Sequence, residues 1–458
     1  MFFDLVPKCL NRLSGILSSI SMITIPLDRI ALTMMIERIE KMTNLNFTWI
    51  TPSYFFKVYQ IGVSSTTCAM IPTGGERMDL NLRNDKLLAL VGIDEIVPLK
   101  DVNISVASYS VQYGLSGFEG THARPIFREG KWTIGMMHPD LNLKRLFWTA
   151  EGLGFELPKY DIEELVGGIM ALMVASGYDT TEDGKILHNG KEYNMVYVRP
   201  FFVAKPVENI GLGVELEFEI ITYLIPMNLY LGERAEKEGI RVWIPKIKRY
   251  LPFANLKASS NYPLSIKMKL KAKELGYDEA LFLDDEDTIV EGSGENVGII
   301  KGDILKTPPM VDEKGKPLAL PGFTMQKIEI IAERMGMKVK REKITREEFL
   351  EADAAFLTGN AAGLVAINTA YFEDEEREYK IGDGVKNEKF RMLEEIYKGK
   401  IFKGDESFGK WFEYPEEWFN EEEMEMLRRV IERDGKLNLS NVGLRKKRKM
   451  VREKLRYF

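Results

Sequence analysis

Three observations predict that this chain is an α+β protein built as two domains. Helix-like and strand-like stretches are mixed without a regular strand–helix–strand repeat, which argues against one doubly wound parallel sheet. The texture changes beyond Tyr230, where a polar helix pattern opens a second series of elements. At 458 residues, 45% of them hydrophobic, the chain can fill more than one core. The reading is an N-terminal extension at 1–84, a small α/β domain at 85–226 and an interdomain loop at 227–240. A larger domain at 241–414 and a charged C-terminal extension at 415–458 follow.

The elements follow in order. Residues 13–27 are uncharged but hold four serines and end near Pro26. They fall about five residues short of the roughly 20 needed to cross a bilayer. A signal peptide would lack a clean small-residue cleavage site, so 1–84 reads as an extension or a misassigned start, with Met35, Met42, Met70 and Met78 as later starts. From 93 to 106 apolar and polar residues alternate, as in half-buried strands turning at Lys100-Asp101. Residues 141–153 are helical in period, with Leu143, Leu146, Phe147 and Leu153 on one side, and 162–176 form a second helix. Strands are expected at 196–202 and 216–225.

In the second half a polar helix at 231–238 leads to a strand at 241–245. A helix follows Pro263, a residue that suits a first helical turn. Strands at 280–283 and 297–300 flank Glu291, and a helix at 324–335 and a strand at 354–357 come next. Beyond 415 the chain is heavily charged; 421–433 can form a helix, and 445–456 carry eight basic residues. With no aromatic residues interleaved, that tail reads as a solvated helix rather than a nucleic-acid surface.

Composition removes whole classes of chemistry. A net charge of −6 argues against general nucleic-acid binding. Cys9 and Cys68 alone support neither a disulfide framework nor a cysteine zinc site, and suit a reducing cytosol. His122, His138 and His188 leave little room for a metal cage or a conventional serine hydrolase. Acid–base work falls to Lys, Glu, Asp or Tyr.

Four segments could carry it. In Glu291-Gly292-Ser293-Gly294-Glu295-Asn296 two glycines flank a serine, favouring a tight turn that delivers a carboxylate at a strand end. Glu291 there could hold a protonated ring nitrogen, or could decorate an ordinary hairpin. Leu320-Pro321-Gly322-Phe323-Thr324 enters a helix with Thr324 as its natural N-cap, and such first-turn N–H groups receive phosphate. Leu357 to Gly363 is a strand-to-turn segment whose small side chains admit a ligand to the backbone. Lys257 lies among apolar and small residues just ahead of a helix, a setting that desolvates an amine and favours Schiff-base chemistry.

Together these segments resemble the branched-chain aminotransferases, fold-type IV enzymes that use pyridoxal 5'-phosphate. The resemblance runs from about residue 90 to about 414 and is carried by "GYDEALFLDDEDTIVEGSGENVGIIKGDILKTPP" (276–309). "YGLSGFEG" (113–120), "YVRP" (197–200), "LKASSNY" (256–262), "LPGFT" (320–324) and "LTGNAAG" (357–363) join it in the expected order. It implies a small α/β domain and a larger pseudo-barrel domain. Lys257 would bind the coenzyme as a Schiff base and shuttle the proton, Glu291 would pair with the pyridine nitrogen, and Tyr262 would bond the phenolic oxygen. Arg145, Phe323, Thr324 and Asn360 would hold the phosphate. Tyr113, Phe118, Tyr197, Arg199, Tyr230, Ala361 and Ala362 would bind substrate, with Arg199 reserved for the distal carboxylate of glutamate.

The implied reaction moves the amino group of leucine, isoleucine or valine to 2-oxoglutarate, in a cytoplasmic enzyme at least dimeric, without metal, nucleic-acid or membrane partners. Alternatives are a D-amino-acid or amine transaminase, an aminodeoxychorismate lyase, or an inactive homologue with a binding role. Two departures stand out. Relatives usually read Phe-Glu-Gly-Ile-Arg where this chain has Phe118-Glu119-Gly120-Thr121-His122, with an arginine only at Arg124. They commonly carry threonine where Asn360 stands.

Overall fold

The computed structural model describes residues 87–207, 211–213, 215–228, 232–401, 405, 412–430 and 435–439. The expectations for 1–84, for the basic stretch 445–456 and for Tyr230 lie outside the described residues.

The first sheet grows from short antiparallel pairs. Strands β1 (Leu88–Val91) and β2 (Glu95–Pro98) form a hairpin. Here the structure departs from the alternation read at 93–106: the chain leaves the sheet through a 3-10 turn at Leu99–Asp101, and Ile104 and Val106 face solvent. The missed strand, β1, is a buried run of four apolar residues that shows no alternation. Helix α1 (Tyr109–Gln112), capped by the Ser108 side chain, leads to β3 (Ser116–Phe118), β4 (Thr121–Arg128) and β5 (Lys131–Met137).

Two helices follow, α2 (Pro139–Gly152) and α3 (Ile162–Ala175), the latter capped by Asp161 and buried along most of its length. A small sheet of β6 (Asp179–Thr180), β7 (Ile186–His188) and β8 (Lys191–Tyr193) precedes the two long strands β9 (Met195–Ala204) and β10 (Phe218–Met227). Strands β3 and β4 share one edge of β9, β3 against residues 201–203 and β4 against 196–198. Glu119 and Gly120 therefore sit at the step between them.

The second sheet begins after α4 (Gly232–Glu238) with β11 (Ile240–Ile244). Helix α5 (Tyr262–Glu274), with Pro263 in its first turn, then precedes β12 (Glu279–Leu283), β13 (Ile289–Gly292), β14 (Asn296–Lys301) and β15 (Ile304–Thr307). After α6 (Phe323–Arg334) come β16 (Lys338–Arg341), α7 (Arg346–Leu350), β17 (Ala354–Gly359), β18 (Gly363–Phe372), β19 (Arg377–Lys380) and α8 (Glu388–Ile396).

Pairing in the order β13-β12-β11-β18-β17-β14, with β13 also pairing β14, closes this sheet on itself. The closing pair is Glu291 opposite Asn296, so the tight turn between them is also the seam of the barrel. Alternation explains the interior: Ile240, Val242 and Ile244 of β11 point inward with Leu281, Val297, Leu357 and Ile367, while Trp243 points out toward Met268 and Ala272 of α5. On another outer face α6 and α8 pack through Ile328, Ile331, Phe390 and Leu393 onto Phe356 and Leu364.

The charged segment after 411 also enters the fold. Strand β20 (Phe412–Glu413) pairs with β5, and β21 (Leu437–Asn438) with β2, so the two cover opposite edges of the first sheet. Between them α9 (Pro415–Trp418) and α10 (Glu421–Arg428) bury Trp418, Phe419, Met424 and Leu427 in the core that holds α3. Charge counting hides this because within the acidic α10 the buried Met424 and Leu427 sit three apart, on one helical face. Among the described residues no helix is long and apolar enough to cross a membrane.

Candidate active site

Lys257 lies where the first sheet meets the barrel. Its main chain is pinned from both sides: its N–H donates to Thr149 Oγ1 at 3.2 Å, and its carbonyl accepts from Phe118 N at 3.2 Å. The side chain bonds Tyr262 Oη at 2.9 Å, and its ammonium stands 5.0 Å from the centre of the Phe118 ring. Phe118 and Tyr262 lie against each other with ring centres 4.7 Å apart. The amine is thus held by one hydroxyl and two aromatic rings, with no carboxylate among the described residues bonded to it. Local sequence favours this placement, since Pro263 fits the first turn of α5, which begins at Tyr262, and leaves Lys257 on the loop ahead of the helix entrance.

Glu291 ends β13, 5% exposed. Its Oε2 accepts from Arg249 Nη2 at 2.9 Å, and its Oε1 accepts from Asn296 Nδ2 at 2.9 Å and from Leu320 N at 2.8 Å. Burial pushes the carboxyl above its usual range, against the pull of Arg249. Glu295, on the same turn, is raised to about 7 by burial and by Glu279. Glu291, Glu295, Arg249, Tyr262, Asn296 and Leu320 line one cavity.

The same asparagine docks the neighbouring loop. Asn296 Nδ2 also bonds Leu320 O at 2.9 Å, and a Cβ built on Gly322 would lie 1.7 Å from Asn296 Oδ1. Only glycine lets the loop approach this closely. Replacing Gly322 by alanine is therefore expected to displace Asn296 and remove its bonds to Glu291 and Leu320, costing about 2–3 kcal/mol. Urea unfolding measures this, and an unchanged midpoint would contradict the close packing.

The helix start differs from the sequence expectation. Gly322, not Thr324, is the N-cap of α6, and it offers no side-chain cap. Thr324 lies inside the first turn because Pro321 and Gly322 already place the chain at the helix entrance, and its hydroxyl turns instead to Asn360 Oδ1 at 2.9 Å. The first-turn N–H groups, uncapped by their own N-cap side chain, form an anion-receptive end. Asn360 Nδ2 in turn donates to Gly120 O, tying the turn 360–362 to the step between β3 and β4.

Arg145 reaches the same place from α2, 2% exposed. Its Nε and Nη2 grip Glu119 at 2.6 and 2.8 Å, and Nη1 donates to Pro321 O at 2.6 Å. Three of its five N–H donors are thereby used, leaving two. It also stacks over Phe323, 4.2 Å to the ring centre.

On the other side of Phe118, Arg199 rises from β9 with its guanidinium carbon 4.4 Å from the Phe118 ring centre and 5.0 Å from that of Tyr197. Its Nε is buried without a hydrogen-bond partner, and among the described residues it has no ion pair. Tyr197 is buried against Met195, Ile225 and Met227, with Ala361 packed on that group. Gly120 makes room for it, since a Cβ there would sit 1.8 Å from the tyrosine oxygen. Ala362 stands beside Ala361, half-buried in the same turn. Tyr113 is different: it caps α1, is 48% exposed, and lies against Tyr109.

Sequence reasoning missed Arg249, Glu119, Asn296 and Thr149. Glu119 and Asn296 stood inside the quoted motifs without a role. Arg249 lies in a run of basic residues, where nothing local marks it as the one that turns inward.

A fold of this kind, with a lysine and a tyrosine opposite a carboxylate at a barrel seam, defines a class IV aminotransferase. The profile of the family "Amino-transferase class IV" matches residues 139–370, just over half of the chain, and the chain belongs to that family. Among its relatives is branched-chain-amino-acid aminotransferase 6 of Arabidopsis thaliana, 28% identical over 313 residues, which cover 67% of this chain and 82% of that one. The branched-chain-amino-acid aminotransferase of Escherichia coli K12 is 27% identical over 60% of this chain and 82% of its own. The branched-chain aminotransferase of Thermoproteus uzoniensis, solved with norvaline, superposes with a TM-score of 0.60 at 25% identity, over 72% of this chain and 99% of that one. A further branched-chain amino acid aminotransferase, solved with pyridoxamine 5'-phosphate, gives 0.59 at 25% identity over 72% and 98%.

Enzymes of this class depend on pyridoxal 5'-phosphate. The residues present fit it: an amine bonded, among the described residues, only to a hydroxyl, a buried carboxylate opposite, and a helix end without a side-chain cap.

Proposed function

We propose that this enzyme moves the amino group of branched-chain L-amino acids to 2-oxoglutarate, and back. The observation that carries the reading is Arg199, a half-buried cation without an anionic partner among the described residues, set between Phe118 and Tyr197 with its Nε buried. One pocket must accept both an aliphatic side chain and the distal carboxylate of glutamate. An arginine whose faces lie on aromatic rings serves both, since the rings receive the aliphatic chain and the guanidinium edge pairs with a carboxylate when one arrives. The named relatives support the same substrate class.

When bound, the coenzyme supplies the electron sink that lets a Cα–H bond break. Around it each residue has a job. Lys257 is the attachment point and the base that carries the proton from substrate Cα to its acceptor and back. Tyr262, within hydrogen-bond reach of that amine, orients it and donates toward the phenolic oxygen. Glu291, steadied by Arg249, Asn296 and the Leu320 amide, keeps the ring nitrogen protonated. The Phe323 and Thr324 amides, the spare donors of Arg145 and the Asn360 turn receive the phosphate. Tyr197 with the amides of Ala361 and Ala362 meets the α-carboxylate, while Tyr113 and Tyr230 complete the set of substrate-binding residues. We further propose that 227–240 joins two domains, that the enzyme is cytoplasmic, and that it works as a dimer.

Amino donors tested against 2-oxoglutarate check this reading. Glutamate should appear with leucine, isoleucine and valine; pyruvate released from aminodeoxychorismate instead, or a protein that stays colourless with the coenzyme, would sink it. Arg199→Ala is expected to raise KM for glutamate by about 10- to 100-fold while KM for leucine changes little. Equal effects on both substrates would remove Arg199 from its role.

A further inference from the structure

Lys327 lies on α6, three residues after Thr324 and therefore on the same helical face, about 5–6 Å away between Cβ atoms. It is 5% exposed and has no hydrogen bond or ion pair among the described residues. The groups facing it make this costly. From β4, Arg124 and His122 stand against it; Glu236 of α4 and Tyr397, just after α8, lie beyond, against Arg124. The next acid on its own helix, Glu329, is turned away to Arg341 at 2.7 Å. Next to Lys327, Gln326 is 2% exposed with both side-chain polar atoms unpartnered. A second buried cation beside Arg124, with no carboxylate of its own, is paid for by no contact among the described residues.

What Lys327 lacks among the described residues is an anion of its own, and the first turn of α6, the proposed phosphate-binding end, is a single turn away. Thr324 bonds Asn360, and Asn360 lies beside His122, so β4, the 360–362 turn and the first turn of α6 converge there. We propose that Lys327, backed by Arg124, is the positioning charge beneath the phosphate-binding end of α6, and that it takes up a proton when a dianionic phosphate ester binds there. This rests on the coenzyme reading given above.

The physical sense is as follows. Burial and Arg124 bring Lys327 down to about 7, so much of it is neutral in the empty enzyme near neutral pH. A dianion one turn away favours the ammonium and offsets the repulsion by Arg124. Binding then draws one proton from solution, and affinity falls as pH rises through the value of the empty enzyme. The direction follows because the bound state holds its proton to higher pH than the free one.

Pyridoxamine 5'-phosphate is the suitable probe, since it occupies the site without reacting with Lys257. Full-length protein stripped of coenzyme is titrated calorimetrically at about pH 8, where the phosphate is already dianionic, in buffers of different ionisation enthalpy. The difference between wild type and Lys327→Met isolates the proton taken up at Lys327, because the pyridine nitrogen contributes equally to both. Methionine keeps the buried stem and removes only the charge.

The expected result is about half a proton or more lost in Lys327→Met, with affinity about tenfold weaker. Lys327→Arg should restore affinity without the proton uptake. A folded Lys327→Met protein with wild-type affinity and the same proton count overturns the proposal while leaving the coenzyme reading intact. A wild-type protein that binds no pyridoxamine 5'-phosphate overturns both.

Discussion

Replacing Lys257 by alanine is expected to lower transamination by about 10^5-fold, the scale of losing a residue that both carries the reacting group and moves the proton. No other described amine is placed to substitute: Lys257 alone is bonded to Tyr262 and faces Phe118. The fold should survive, because the side chain forms no ion pair among the described residues and the main-chain bonds to Thr149 and Phe118 do not depend on it. Two measurements check this. Purified wild type should absorb in the visible after adding the coenzyme, and Lys257→Ala should lose that band while melting at the same temperature. A variant that retains the band, or turns over at more than about a hundredth of the wild-type rate, would falsify the assignment.

The second large effect is expected at Glu291, where two substitutions separate chemistry from structure. Glu291→Gln keeps the shape and can still accept from Leu320 N, but cannot hold a charge against the ring nitrogen. Activity should fall by about 10^3-fold, the size of losing one preorganised electrostatic contact, with coenzyme still bound. Glu291→Ala also strands Arg249, whose guanidinium is 8% exposed and has lost its carboxylate. Leaving one partner of a buried pair alone costs roughly 3–5 kcal/mol, so this variant should also unfold at markedly lower urea. If Glu291→Ala is as stable as wild type, the Arg249–Glu291 pair does not bear on the fold; if Glu291→Gln keeps full kcat, the carboxylate is not the ring-nitrogen partner.

These two residues also differ in how they are held. Lys257 sits on a loop pinned through its backbone, so its side chain is free to move a proton. Glu291 stands at the seam where β13 meets β14, bonded through both oxygens. In the proposed roles, the group that is to stay charged is clamped, and the group that is to travel is not.

The mixed α+β class and the positions of most helices and strands were legible in the sequence. Hydrophobic period and Pro263 mark α2, α3 and α5 to within a residue or two, because those signals are local. The short tight-turn motif likewise delivered Glu291 to a strand end. What local patterns could not carry is the partner of each charge. That Arg249 rather than its basic neighbours pairs with Glu291 depends on a contact 42 residues away. That Arg145 is clamped by Glu119 depends on α2 crossing the step between β3 and β4. That Thr324 serves Asn360 and leaves the capping position to Gly322 depends on two loops meeting.

The segment after 411 makes the same point: although heavily charged, its described parts supply β20 and β21 to the two edges of the first sheet, because the sheet's unpaired edges, not the charge of the segment, decide where they lie. By itself the sequence determined most of the elements and, through the resemblance its motifs carry, named the lysine and the carboxylate as candidates, since backbone propensity and motif spacing are properties of short stretches. Tertiary structure alone decided which charges are buried together, and so why Lys327 lies buried beside Arg124 beneath the first turn of α6. Burial and distance belong to the folded chain, and electrostatic cost is set by them.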